Sequence, residues 1–166
     1  MIYNQKTIGQ PPIFTSERYS REASITINAS IDRTFPLFGA WEEKKWAPEW
    51  NPVPIFPLDM KLLKGSIFKT QSHVPGEDSV IWLVTRYDTV NHQLEYVITG
   101  SDRVVIISIL CKSMGKDITS ANISYILTGL TPHGNHTSRH ILEKLFVTDL
   151  KDWQSAINGY LKKAEH

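Results

Sequence analysis

Few side chains in this sequence have the types and spacing for chemistry, and the histidines are the obvious place to start. His133, His136 and His140 form the only histidine cluster. On a helix, positions 136 and 140 share a face, which is a spacing that zinc sites use. The run His136-Thr-Ser-Arg-His140 lacks the internal glutamate of the zincin motif, and no thiolate or well-placed carboxylate stands by as a further ligand. The plainer reading is polar residues in the first turns of a helix, so no metal is assigned. Cys111 is the single cysteine and has no recognisable base partner. Gly-rich phosphate loops, nucleophile elbows and paired-carboxylate motifs are all missing from the sequence, which argues against covalent catalysis and nucleotide chemistry and points to no cofactor. Proton transfer would fall to His140, Arg86 or Glu95, and the last two could neutralise each other. No residue is therefore assigned a catalytic role.

The aromatic residues suggest binding instead. Trp46 and Trp50 are four apart, flanked by prolines, and lie where short helices meet a sheet. They could line a pocket mouth or plug the end of a core, because large aromatics cover apolar area either way. Phe56 and Phe68 carry the same two readings. Tyr87, Tyr96 and Tyr125 fall on strands, where their hydroxyls could face a ligand or reach solvent at a sheet edge. With His140 and Phe146 on the last helix, these residues make up the candidate ligand-binding set.

The elements that must position them follow from periodicity. Residues 1 to about 18 contain Gly9, Pro11 and Pro12, show no period, and read as an extended arm. Ser24 to Asn28 alternates polar and apolar like a half-buried strand. Ser30 then stands at an N-cap position with Asp32 in the first turn, which predicts a short helix from Ile31 to Phe38 ended by Gly39. A further helical turn at Trp41 to Trp46 would follow. Residues 47 to 57 hold four prolines, which forbid regular helix and predict a rigid, aromatic-rich loop.

Strands are expected at Ser66 to His73, Val80 to Tyr87, Gln93 to Thr99, Arg103 to Lys112 and Ile118 to Leu130, separated by short turns. Connections this short imply an antiparallel meander. Pairing across the turn from Asp88 to His92 puts Arg86 opposite Glu95, and Thr85, Tyr87, Leu94, Tyr96 and Ile98 on the other, concave face; a slip of one residue would exchange the two sets. Val104 to Leu110 is apolar on both faces, so something must cover its outer side. The arm, with Ile8, Ile13 and Phe14, could do so within one chain, or a second subunit could by symmetric packing. Apolar residues from Ile141 to Leu161, mostly three or four apart, predict one long amphipathic helix at the end.

With 166 residues, 41% of them apolar, the chain fits an arm over residues 1–18 and one domain over 19–166. Lys and Arg number 18 against 17 Asp and Glu, so no net field favours nucleic acid or an anionic membrane. No apolar run approaches the roughly 18 residues of a membrane span. The unpaired Cys111 agrees with a reducing compartment, and a cytoplasmic location is expected.

From about Glu22 to Lys163 the chain resembles the START/Bet v 1-like (SRPBCC) superfamily, in its polyketide cyclase/dehydrase and Hsp90-activator-like group. The resemblance is carried by Ala29-Ser-Ile-Asp-Arg-Thr-Phe35, Trp46-Ala-Pro-Glu-Trp50, Gly65-Ser-Ile-Phe68-Lys-Thr, Trp82 with Tyr87-Asp88, Tyr125 to Leu130, and Trp153 with Tyr160-Leu161, in that order. It implies an α+β helix-grip fold: a curved antiparallel β-sheet wrapped around a long C-terminal helix, with two short helices after the first strand. It also implies an internal cavity for a hydrophobic or amphipathic small molecule. The fold hosts many functions, and three remain in play. The first is a module that binds such a molecule, and the second a cyclase- or dehydratase-like enzyme acting on it. The third is a cochaperone-like partner binder, to which the balanced charge lends little support.

Overall fold

The structure is a computed structural model that describes residues 14–72 and 77–164. Strand β1 (Arg18–Ile27) leads into a helical turn, α1 (Ile31–Thr34), which narrows to a 3-10 turn over Phe35–Phe38. Pro36 lies in that tighter turn and has no N–H to give to an α-type bond, and Gly39 ends it in an extended conformation. Ser30 occupies the predicted N-cap, but its hydroxyl makes no capping bond; the first turn is closed by backbone N–H groups of Arg33 and Thr34 on the Ser30 carbonyl. A second 3-10 turn covers Glu43–Lys45.

The expected loop at 47–57 needs correction, because Val53–Phe56 forms a strand, β2, paired antiparallel with β3 (Ile67–Gln71). Its prolines are compatible with that because β2 is an edge strand, where a missing donor costs no ladder bond. The meander continues through β4 (Ser79–Asp88), β5 (Gln93–Thr99), β6 (Arg103–Gly115) and β7 (Ile118–Gly129), close to the predicted boundaries. The seven strands lie in the order β1-β7-β6-β5-β4-β3-β2, all antiparallel.

The closing helix begins at Pro132, so His133, His136 and His140 lie in its first turns, in agreement with the plainer reading of them. α2 (Pro132–Lys144) starts with Pro132 in the first turn, and the Thr131 hydroxyl accepts the Gly134 N–H at 2.9 Å. Gly134 is required here by closeness, since a Cβ would lie 1.9 Å from the Asp102 carbonyl oxygen. A π turn at Leu145–Asp149 joins α2 to α3 (Leu150–Lys163). The Thr148 hydroxyl in that turn donates to the Lys144 carbonyl at 3.1 Å, a back-bond that competes with the helix ladder. Leu142, Leu150, Ile157 and Leu161 are buried against a core that includes Ile27, Phe38, Phe68, Leu94, Ile123 and Leu127. No helix among the described residues is long and apolar enough to cross a membrane.

The free edge of β1 is closed by the last helix. Gln154 accepts the Thr26 N–H at 2.8 Å, and Asn158 accepts the Asn28 N–H at 2.8 Å while donating to the Thr26 carbonyl at 3.1 Å. Near the start of β1, the Ser16 hydroxyl donates to the Gly129 carbonyl at 2.5 Å, and Asn135 bonds Thr15 and Glu17 at 3.0 Å each. Strand pairing thus begins at Arg18, at the predicted end of the arm; Ile8 and Ile13 lie outside the described residues, and Phe14 is half-buried. On the outer face, Ile67, Leu83, Val97, Ile106 and Ile126 stand directly opposite one another across β3 to β7, partly exposed.

Candidate functional site

The concave face of the sheet meets the 37–46 segment and the closing helix. Under β3 to β5 this interior is filled by aromatic rings. Phe68 stacks on Trp82 at 5.4 Å, and both meet Tyr96 edge-on at 5.9 and 5.5 Å. Trp50 packs edge-on against Phe68 and Trp82 at 6.2 and 5.2 Å, and Trp41 lies 5.5 Å from Phe68. The Trp82 N–H donates to the Thr70 hydroxyl at 3.0 Å and the buried Trp41 N–H has no partner among the described residues, while three other ring donors pin the preceding turn. Trp46 donates to the Leu37 carbonyl at 2.7 Å, Trp50 to Ala40 at 2.6 Å, and the Tyr96 hydroxyl to Phe38 at 3.1 Å. The short prolyl turn is thereby fixed to the sheet, and with it the residues that follow.

One of those residues is Glu43. As a residue it is half-buried, yet crowding around its carboxyl withdraws it from water and pushes its pKa up to about 8. No hydrogen bond or ion pair to the carboxyl is found among the described residues, and no cation offsets the burial. Tyr96, Ile107 and Tyr125 stand in one buried row across β5, β6 and β7. Both hydroxyls are pushed up, first by burial and then by the nearby Glu43 charge, which places the carboxyl within electrostatic reach of both. Tyr125 also feels Asp149 in the π turn, and its hydroxyl has no hydrogen-bond partner among the described residues. Aromatic rings pack nearby: Phe146 meets Tyr125 edge-on at 6.0 Å, and Trp153 meets Trp46 at 5.7 Å. Chemically, the aromatic surround holds a carboxyl whose pKa is pushed up to about 8 and a phenol, each able to donate or accept a hydrogen bond.

Of the candidates drawn from sequence, Trp46, Phe68, Tyr96 and Tyr125 are buried on this concave side, and Trp50 and Phe146 are half-buried against it. Tyr87 is half-buried and stacks on Phe35 at 5.8 Å. Phe56 is 58% exposed on the edge strand, and His140 is exposed on α2. Arg86 and Glu95 are register partners as expected, yet each bonds elsewhere. Glu95 accepts from Thr85 at 2.7 Å and Ser108 at 3.1 Å, and Arg86 donates to Gln93 at 2.5 Å. Thr85 was expected on the concave face, but a bulge between Val84 and Arg86 turns it towards Glu95.

Glu43 is the residue that sequence reasoning missed. Trp41-Glu-Glu-Lys-Lys-Trp46 looks like a solvated turn, and the available clue was only that Glu43 and Trp46, three apart, share one side of it. Two clefts open elsewhere: one of 370 Å³ by Trp50, Val53 and Thr70, and one of 240 Å³ by Arg86, Glu95 and Ser108. Among the described residues, no three His, Cys, Asp or Glu side chains gather as a metal site would need.

A curved seven-stranded antiparallel sheet holding a long C-terminal helix, with a short helix after the first strand, is a helix-grip fold, as the sequence resemblance implied. Solved structures bear this out. Norcoclaurine synthase from Thalictrum flavum superposes with a TM-score of 0.64 at 17% identity, over 93% of this chain and 98% of that one. The Zhui aromatase/cyclase of a Streptomyces species gives 0.64 at 12% identity over 90% and 97%. A START superfamily protein of Mycobacterium smegmatis gives 0.59 at 15% over 87% and 98%. At these identities the likeness is one of fold. No family model matches the chain, and no curated protein matches it in sequence.

Proposed function

We propose that the chain binds a hydrophobic or amphipathic small molecule between the concave face of the sheet and the closing helix, with Glu43 and Tyr125 orienting it. The observation that carries this reading is an aromatic surround, Tyr125 with Phe146 and Trp46 with Trp153, beside a Glu43 carboxyl that has no hydrogen bond or ion pair among the described residues. A mostly apolar pocket with a few convergent polar groups is the usual form of a ligand site. Neighbours of this fold include an aromatase/cyclase and a START superfamily protein, which agrees with such a role. Trp46, Phe146 and Trp153 would supply apolar contact, while Trp50, Phe68 and Tyr96 would close one end.

The test is native mass spectrometry of freshly purified protein, followed by denaturing extraction. A retained apolar molecule supports the reading. A clean apo mass, with no uptake from a panel of apolar probes, would sink it.

A second reading, a cyclase- or dehydratase-like enzyme, is favoured by the same carboxyl. A general acid or base works best with a pKa near the operating pH, and Glu43 is pushed to about 8. Turnover of an enolisable aromatic polyketide analogue that vanishes in Glu43→Gln would support it; turnover that survives would remove Glu43 from the chemistry.

A further inference from the structure

The 370 Å³ cleft at the edge formed by β2 and β3 gathers polar groups around one aromatic ring, outside the grip of sheet and helix. Trp50 lines it, held edge-on against Phe68 and Trp82 and by its N–H on the Ala40 carbonyl at 2.6 Å. Glu49, Asn51, Lys69, Gln71 and Ser79 line it as well, all of them exposed. None of these five side chains makes a hydrogen bond or ion pair among the described residues.

The strand edge adds backbone groups. Val53, the first residue of β2, pairs with Lys69, so β3 runs on past it to Gln71. The Ser72 N–H goes to the Asp78 carbonyl on the β4 side, and in an antiparallel ladder successive residues turn their backbone groups to opposite sides. The Gln71 N–H and carbonyl therefore face the open edge.

This set of groups selects among ligand classes. The apolar lining is confined to Trp50 and Val53, too little for a lipid-like chain. An anion would meet one cation, Lys69, together with the Glu49 carboxylate. A metal ion would lack ligands, since no three His, Cys, Asp or Glu side chains gather among the described residues. A peptide added to the edge draws its affinity from a run of main-chain bonds, and only Gln71 offers them here. A sugar ring meets none of these obstacles. Its polarised C–H face suits the electron-rich face of an indole. Its hydroxyls each donate and accept, and a carboxylate, two amides and an ammonium supply both kinds of partner. The volume lies at the low end of the roughly 300–1,000 Å³ of ligand sites, which suits one or two rings.

We propose that this edge cleft binds a neutral mono- or disaccharide, packed on Trp50 and hydrogen-bonded by Glu49, Asn51, Lys69 and Gln71. The site stands apart from the one under the closing helix, so either can hold without the other.

The test is saturation-transfer NMR on the full chain with glucose, galactose, mannose, N-acetylglucosamine, cellobiose and maltose. At least one should bind with a Kd of about 5 mM or tighter. Asn51→Ala and Gln71→Ala should each weaken it about fivefold, as the loss of one hydrogen bond does, and leave Tm and the uptake of apolar probes unchanged. Trp50→Leu should abolish it, and the two variants at exposed positions keep the site testable should that one fail to fold. No binding by any of the six sugars, or binding that neither Asn51→Ala nor Gln71→Ala weakens, overturns the proposal. Capture of an alternating threonine–valine peptide with no sugar bound would overturn it too, and put strand addition in its place.

Discussion

Glu43 should leave a signature in stability as well as in binding. In the unfolded chain its carboxyl titrates near the ordinary 4.5, and in the fold near 8. The folded state therefore holds a proton over that window that the unfolded state has released. Stability is full below about 4.5 and is lost as pH rises through 8, by up to about 1.4 kcal/mol per pH unit. Over the whole window this amounts to roughly 5 kcal/mol as an upper bound. Because the residue is half-buried, water reaching the ionised form should cut the figure to about 2–3 kcal/mol. The assay is urea unfolding of wild type and Glu43→Gln at intervals from pH 5 to 9. Groups common to both proteins, including Cys111, whose thiol burial pushes up to about 12, cancel in the difference. Wild type should lose ground to the variant steadily from pH 5 to 8 and then level off. Parallel curves within about 0.5 kcal/mol would refute a buried, uncompensated carboxyl.

Trp46→Ala, which removes a buried ring and the donor to Leu37, should cost about 3–5 kcal/mol in urea unfolding and also weaken uptake of apolar probes; unchanged uptake would remove it from the site. Glu77→Gln should cost about 3 kcal/mol, since it leaves the buried Arg103 guanidinium without its charge partner; a loss under 1 kcal/mol would show that water reaches that pair. A chain lacking residues 1–13 should bind more of an apolar dye and associate, if the arm covers the outer row of Val97, Ile106 and Ile126. An equally soluble monomer would end that idea.

The sequence conveyed the meander well because turn chemistry and period-2 alternation are local. Gln93–Thr99 was placed to the residue, and the Arg86 to Glu95 register came from one turn length. What could not be read was non-local. The bulge at Thr85 breaks a period that a strand pattern assumes to be constant. Strand β2 exists because β3 offers it an edge, which outweighs its prolines. Glu43 sits in a charged, partly exposed turn whose neighbouring carbonyls, at Leu37, Phe38 and Ala40, are held by Trp46, Tyr96 and Trp50. Part of the candidate site was therefore legible as aromatic wall, while its titratable group was not.

The bonds from Gln154 and Asn158 to β1 also bear on how the chain reaches this fold. They join residues 128 to 132 positions apart. During synthesis β1 emerges long before its edge partners, and its pairing with β7 must wait as well. Until the last helix arrives, the first strand presents a row of open backbone groups, which is the kind of surface that templates association between chains. Contacts of such long span slow folding and prolong that exposure. The nascent protein thus passes through a vulnerable interval that ends when two amide side chains, one helical turn apart, dock onto the strand that emerged first.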